Sequence, residues 1–304
     1  MTSRQAPDAA VKPPLGERGQ SPPAALRTYG LSLAYDGRTV VDTLDLEVQR
    51  GAVTAIVGPN GCGKSTVLRG LSRMLRPVSG RVLLSDPVSG SADACGEPRP
   101  LRDIWSMRPK EFARRVALLP QTPPVPEGIT VVDLVGRGRH PHHSLVRRWS
   151  EADDEAIAAA MRSTDTTGLA ERHVDELSGG QRQRVWIALT LAQDTDVILL
   201  DEPTTYLDVA HQIDVLDLLV DLNRRRGTTI VMVLHDLNLA ARYADQVVAL
   251  RGGRLLAQGP PADVVDEAFV RSVFGLESRV VIDPVAGTPL VIPASRDQLI
   301  GPAS

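Results

Sequence analysis

The stretch Gly58-Pro-Asn-Gly-Cys-Gly-Lys64-Ser65-Thr66 fits G-x-x-x-x-G-K-S in full. Glycines let successive backbone N–H groups converge on the oxygens of an anion, and a helix that opens there adds the positive end of its dipole. In this motif the lysine reaches the terminal phosphates and the serine hydroxyl takes Mg²⁺. The chemistry implied is capture of a nucleoside triphosphate by Gly58, Pro59, Asn60, Gly61, Cys62, Gly63, Lys64, Ser65 and Thr66. A second run, Val197-Ile-Leu-Leu200-Asp201-Glu202, is apolar until it ends in two acids. Asp201 is placed to hold the metal, through water, and Glu202 to polarise an attacking water. Phosphoryl transfer asks little more of a protein than positioning and charge neutralisation. A third segment, Leu177-Ser178-Gly179-Gly180-Gln181, opens a helical pattern. Ser178 and the N–H groups after it make a second anion site on a chain that already has one.

These residues need a scaffold of strands and helices. Residues 53–57 are a short apolar run before the glycine loop, and the helix expected over 65–75 is ended by Pro77 and Gly80. Residues 116–119 read as a strand leading to Pro120-Gln121, 130–170 as helical, 194–201 as a buried strand, 209–225 as a helix and 229–234 as a strand. Strands alternating with helices imply an α/β fold around a mostly parallel sheet. Upstream, residues 31–48 alternate in the manner of exposed strands, with a turn at Asp36-Gly37. There is no internal repeat.

The bulk numbers narrow the class. A chain of 304 residues with 42% hydrophobic and 3% aromatic content builds its core from Val, Leu, Ile and Ala. A net charge of −3 is no general nucleic-acid footprint. Two cysteines, one inside the glycine loop, make no disulfide framework and suit a reducing compartment. Cys62 stands beside a lysine at a helix N-terminus, which favours the thiolate, so it is expected to react with maleimide and to be protected by MgATP. No run approaches the ~18 apolar residues that cross a bilayer. Residues 1–26, rich in Pro, Ala and Gly, read as a disordered leader and not as a secretory signal.

Together the three motifs resemble those of ATP-binding-cassette (ABC) ATPases, over residues 29–257. The resemblance implies a P-loop cassette over 27–260, with a mostly parallel core sheet, an antiparallel β subdomain and a helical signature subdomain near 122–190. It also implies a surface insertion at 86–100, which carries Cys95, and a C-terminal extension at 261–304. ATP and Mg²⁺ are the implied cofactors. By the same resemblance Tyr35 stacks on adenine, Gln121 senses the metal and water, His235 contacts the γ-phosphate, and Asp208 crosses to a second subunit. The loop of Ser178, Gly179, Gly180 and Gln181 then grips the γ-phosphate held by that second copy, making a homodimer.

A narrower resemblance rests on Pro120-Gln121, on 126–131 and Gly136-Arg-Gly-Arg139-His140-Pro141, on Asp201-Glu-Pro-Thr-Thr-Tyr206-Leu-Asp208, on Leu234-His-Asp-Leu-Asn-Leu-Ala240, and on the tail 273–290. These are similar to the ATPases of bacterial ferric-siderophore importers, a branch shared with cobalamin and haem importers. The implied partners are an integral-membrane permease and, indirectly, an extracytoplasmic solute-binding protein, with no nucleic acid. The implied place is the cytoplasmic face of the membrane. The basic stretch 121–148, with Arg137 and Arg139, is expected to receive a permease helix. A soluble ABC ATPase acting on DNA or ribosomes would carry a long coiled-coil insertion or tandem cassettes, and an exporter cassette is usually fused to membrane helices. Neither feature is in this sequence.

Overall fold

In a computed structural model, which describes residues 23–86, 100–124, 127–143, 149–205 and 207–294, the apolar runs form two sheets that share a core. An antiparallel sheet is built from β1 (Ala24–Tyr35), β2 (Arg38–Leu44), β3 (Glu47–Gln49), β5 (Ser79–Ser85) and β6 (Leu101–Asp103). The second sheet has the order β11-β10-β4-β9-β8-β7. Here β4 (Val53–Val57), β7 (Val116–Leu119), β8 (Val197–Asp201), β9 (Thr229–Val233) and β10 (Gln246–Arg251) are mutually parallel, and β11 (Arg254–Gly259) closes the edge antiparallel.

The parallel strands are buried on both faces, which is why they read as unbroken apolar runs. Alternate residues go to two different cores. Ala55, Ile198, Leu200, Ile230, Met232 and Val247 face the helices, whereas Ile56, Leu199, Val231, Val233 and Val248 face the antiparallel sheet. Between the two sheets lies α1 (Lys64–Leu71), which buries Val67, Leu68 and Leu71 there. It is shorter than its expected span of 65–75, because Arg73 turns into the left-handed region at φ 62°. After α2 (Pro109–Ala113) the helical layer contains α3 (Val131–Gly136), α4 (Glu151–Ser163), α5 (Gly179–Ala192), α6 (Val209–Arg226) and α7 (Leu237–Tyr243).

One expected boundary shifts. The leader does not extend to residue 26, because β1 begins at Ala24 and Leu26 is fully buried opposite Leu84. Residues 1–22 and 87–99, the latter with Cys95, lie outside the described residues, as do 125–126, 144–148, Tyr206 and 295–304. The chain beyond 260 is joined to the main core. There α8 (Pro261–Val264), α9 (Glu267–Phe274) and the hairpin of β12 (Ser278–Ile282) and β13 (Pro289–Pro293) contribute Phe269, Val270, Val273 and Val291 to it. Asn238 of α7 pins the hairpin by bonding both the N–H and the carbonyl of Val291, at 2.7 and 3.1 Å.

Arg139 also departs from expectation. It is not a surface charge: it is 7% exposed. Its guanidinium donates to Asp153 at 2.9 Å and to the Ala192 carbonyl at 2.8 Å. Arg137 alone of that pair is exposed. Burial works against ionisation of Asp153, but hydrogen bonds from Arg139 and Ser150 outweigh it and hold the carboxyl at about 2, below its ordinary 3.8. A buried pair broken on one side leaves the other charge alone, so Asp153→Asn should lower the unfolding free energy in urea by about 3 kcal/mol. The folded value lies below the unfolded one. The contribution is therefore complete above pH 3.8 and is lost as pH falls towards about 2, a dependence that Asp153→Asn should remove.

Candidate functional site

The glycine loop leaves β4 and turns into α1, as its motif requires. Gly58 has φ 149°, and a Cβ there would stand 2.2 Å from the Leu250 carbonyl oxygen, so no other residue fits. The Lys64 ammonium is buried and donates to the carbonyls of Gly58 and Pro59 at 2.8 and 3.0 Å. The loop opens onto a cavity of about 470 Å³ lined by Asn60, Gly61, Gly63, Lys64, Ser65 and Thr66. Val40, Gln121, Glu202 and His235 complete its wall. Residues 64, 121, 202 and 235 are far apart in sequence and meet here.

Two carboxylates organise the floor. Ser65 Oγ donates to Asp201 Oδ1 at 2.8 Å. Burial pushes the Asp201 carboxyl upward; the Ser65 bond opposes this, and the neighbouring charge of Glu202 reinforces it. Glu202 has φ 54°, a left-handed turn uncommon for a residue with a side chain. That turn breaks the alternation of β8, so Asp201 and Glu202 can serve the same site. Glu202 accepts from the Gln121 amide at 2.5 Å and from Thr205 Oγ1 at 3.0 Å, and its other oxygen lies 2.6 Å from His235 Nε2.

Some expected residues lie elsewhere. Tyr35 lines an adjoining hollow of about 340 Å³ with Arg69, Met74, Gln121 and Asp201, and its hydroxyl accepts from Arg69 at 3.0 Å. Ser178, Gly179, Gly180 and Gln181 do not line the phosphate cavity. Ser178 caps α5, accepting from the Gln181 N–H at 3.3 Å, while the Gln181 side chain accepts from the Ser178 N–H at 3.1 Å, a reciprocal capping box. Asp208 caps α6 through the His211 N–H at 2.9 Å. Sequence reasoning missed Thr205 and Arg69. Thr205 becomes a partner of Glu202 only through the left-handed turn, which no local pattern announces.

Cys62 requires a correction. Its side chain is 6% exposed and belongs to the core between the sheets, so only its backbone belongs to the loop. Burial pushes the thiol up, and Lys64 only partly offsets this, so the environment works against the expected reactive thiolate.

A glycine loop between a parallel strand and a helix, with two acids at the end of another strand of the same sheet, defines a phosphate-loop ATPase. Residues 41–205 match the ABC transporter family. The chain is 51% identical over 276 residues to the petrobactin import ATP-binding protein of Bacillus anthracis, covering 91% of this chain and 96% of that protein. It is 50% identical over 273 residues to the ferric enterobactin transport ATP-binding protein of Escherichia coli K12, covering 90% and 95%. Among solved structures, an inward-facing metal-chelate type ABC transporter has a chain similar at a TM-score of 0.74. The two are 26% identical, with 90% of this chain and 98% of that one covered. The chain belongs to the ABC transporter family as an ATP-binding component, an ABC ATPase.

Maleimide should therefore leave native Cys62 unlabelled at neutral pH and label it only after unfolding, as read by peptide mapping. Rapid labelling in the folded state would refute the burial argument.

Proposed function

We propose that this chain hydrolyses MgATP as one half of a head-to-tail homodimer and so powers import of an iron–siderophore complex through a separate membrane permease. The convergence of Gln121, His235 and Thr205 on Glu202, beside the glycine loop, carries the hydrolytic part of the reading. In it Lys64 exchanges the Gly58 and Pro59 carbonyls for phosphate oxygens. Glu202 orients and polarises the attacking water, while Gln121 and His235 fix its carboxylate and meet the γ-phosphate side. Ser65 and Asp201 offer hard oxygens at one point, and burial outweighs Ser65, Arg69 and Lys64 in pushing the carboxyl up, so a divalent cation such as Mg²⁺ suits the pair. When bound, the ion neutralises phosphate charge.

The second subunit is called for by the position of the signature loop, whose N–H groups open α5 away from this chain's own phosphate cavity. No helix among the described residues is long and apolar enough to cross a membrane, which fits a separate permease. The hollow beside Gln121 has an exposed apolar rim at Met74, 68% exposed, and offers a seat for a cytoplasmic helix of that permease next to the metal-sensing glutamine. Arg139, being buried, is not part of this contact surface. The cargo reading rests on the siderophore-import relatives at about half identity.

Glu202→Gln should bind MgATP normally, lose at least about 100-fold in turnover and accumulate as an ATP-bound dimer in light scattering. A variant that stays monomeric at saturating ATP would overturn the dimer. Met74→Glu should keep basal MgATP affinity and lose stimulation by the permease in proteoliposomes. Uptake assays with labelled ferric siderophores, haem and cobalamin on the reconstituted importer test the cargo. Transport of haem or cobalamin alone would overturn it.

A further inference from the structure

His211 stands in the first turn of α6, outside every role assigned above. Its Nδ1 lies 2.6 Å from Asp208 Oδ1, the oxygen that also accepts its backbone N–H. Its ring lies against Gly180: a Cβ built on that glycine would meet His211 Cδ2 at 2.9 Å and Nε2 at 3.4 Å. Gly180 is a helical residue without positive φ, so the approach of the ring, and not backbone conformation, is what favours glycine there. The next residue, Gln212, donates to the carbonyls of Thr204 and Leu207 at 3.4 and 3.2 Å. At the near end of the same loop Thr205 bonds Glu202, and Gln183 of α5 donates to the Pro203 carbonyl at 2.7 Å. Contacts thus link Glu202, Thr204, Thr205, Leu207 and Asp208 to the start of α6, and His211 there to the signature loop.

We infer that His211 is a positioning residue for the signature loop. Its ring, tethered by Asp208, supports Gly180 and sets where the N–H groups of Gly179, Gly180 and Gln181 point. The inference rests on the reading that those groups take the γ-phosphate held by a second copy of this chain. Glu202 then serves the protomer's own nucleotide and Ser178 the partner's, so His211 joins the two sites through one chain. The ring is not part of the wall of the phosphate cavity, so its loss leaves the protomer's own nucleotide contacts in place.

The test uses the full chain. In a Glu202→Gln background, His211→Ala should raise the ATP concentration for half-maximal dimerisation about tenfold, by light scattering. In the otherwise native chain it should lower kcat about tenfold, since small misplacements at a reacting centre are costly. MgATP affinity of the monomer, read by fluorescent-nucleotide titration, should not change, and His211→Asn, which keeps a donor for Asp208, should recover part of the loss. The penalty of Gly180→Ala should be smaller in the His211→Ala background than in the native one, as expected for residues in contact. Native dimerisation and kcat in His211→Ala, or strictly additive penalties, would overturn the positioning role while leaving the dimer standing. A Glu202→Gln protein with native His211 that never dimerises would remove the reading beneath it as well.

Discussion

The central parallel strands are covered on both faces, by helices on one side and by the antiparallel sheet on the other, and the polar side chains of the site sit where strands end. The sheet order β4-β9-β8-β7 sets neighbouring carboxyl ends side by side. In that order the chain leaves them as the glycine loop, His235, Asp201 with Glu202, and Gln121. Four segments scattered across the sequence become one row because the apolar registers of their strands demand it. Moving any of these strands by one residue would exchange the residues that face the two cores.

Charge within that row is left partly unresolved by the protein alone. Asp201 is buried with a hydroxyl for a partner, and burial pushes its carboxyl up. Lys64 is satisfied by backbone carbonyls of its own loop. Glu202 gathers an amide, a hydroxyl and an imidazole around one carboxylate. These groups are held by hydrogen bonds of the protein itself, which lowers the cost of organising the site proposed for phosphates and a cation. Residues that only support the arrangement are as closely held: Gly58 touches the Leu250 carbonyl, and Cys62 fills the core beneath the loop.

The helical layer adds polar ties to the apolar faces it buries in the main core. The buried Arg139–Asp153 pair ties the turn after α3 to α4 and, through the Ala192 carbonyl, to the end of α5. The signature loop does not line the phosphate cavity, and contacts join α5, which it opens, to Pro203 and to His211 at the start of α6. Arg184 adds a bond to Asp214 at 2.7 Å along the same seam. These polar contacts next to Glu202 supplement the apolar core that joins the two layers.

Much of this was legible in the chain itself. The glycine loop, the acid pair after an apolar strand, and the serine-capped helix at Gly179 are local patterns whose chemistry follows from residue type and spacing, and the alternation of strands and helices implied the parallel sheet. Other features depended on where distant segments came to rest. Arg139 reads as a surface base until its aliphatic neighbours bury it against Asp153, and Cys62 reads as a reactive thiol until its side chain turns into the core. The left-handed turn at Glu202, the partnership with Thr205 and the contact of His211 with Gly180 have no local signature. Local sequence determines what a segment prefers and which groups it carries. Burial and the direction of each side chain are set by the packing of many segments at once, and only the tertiary structure decides them.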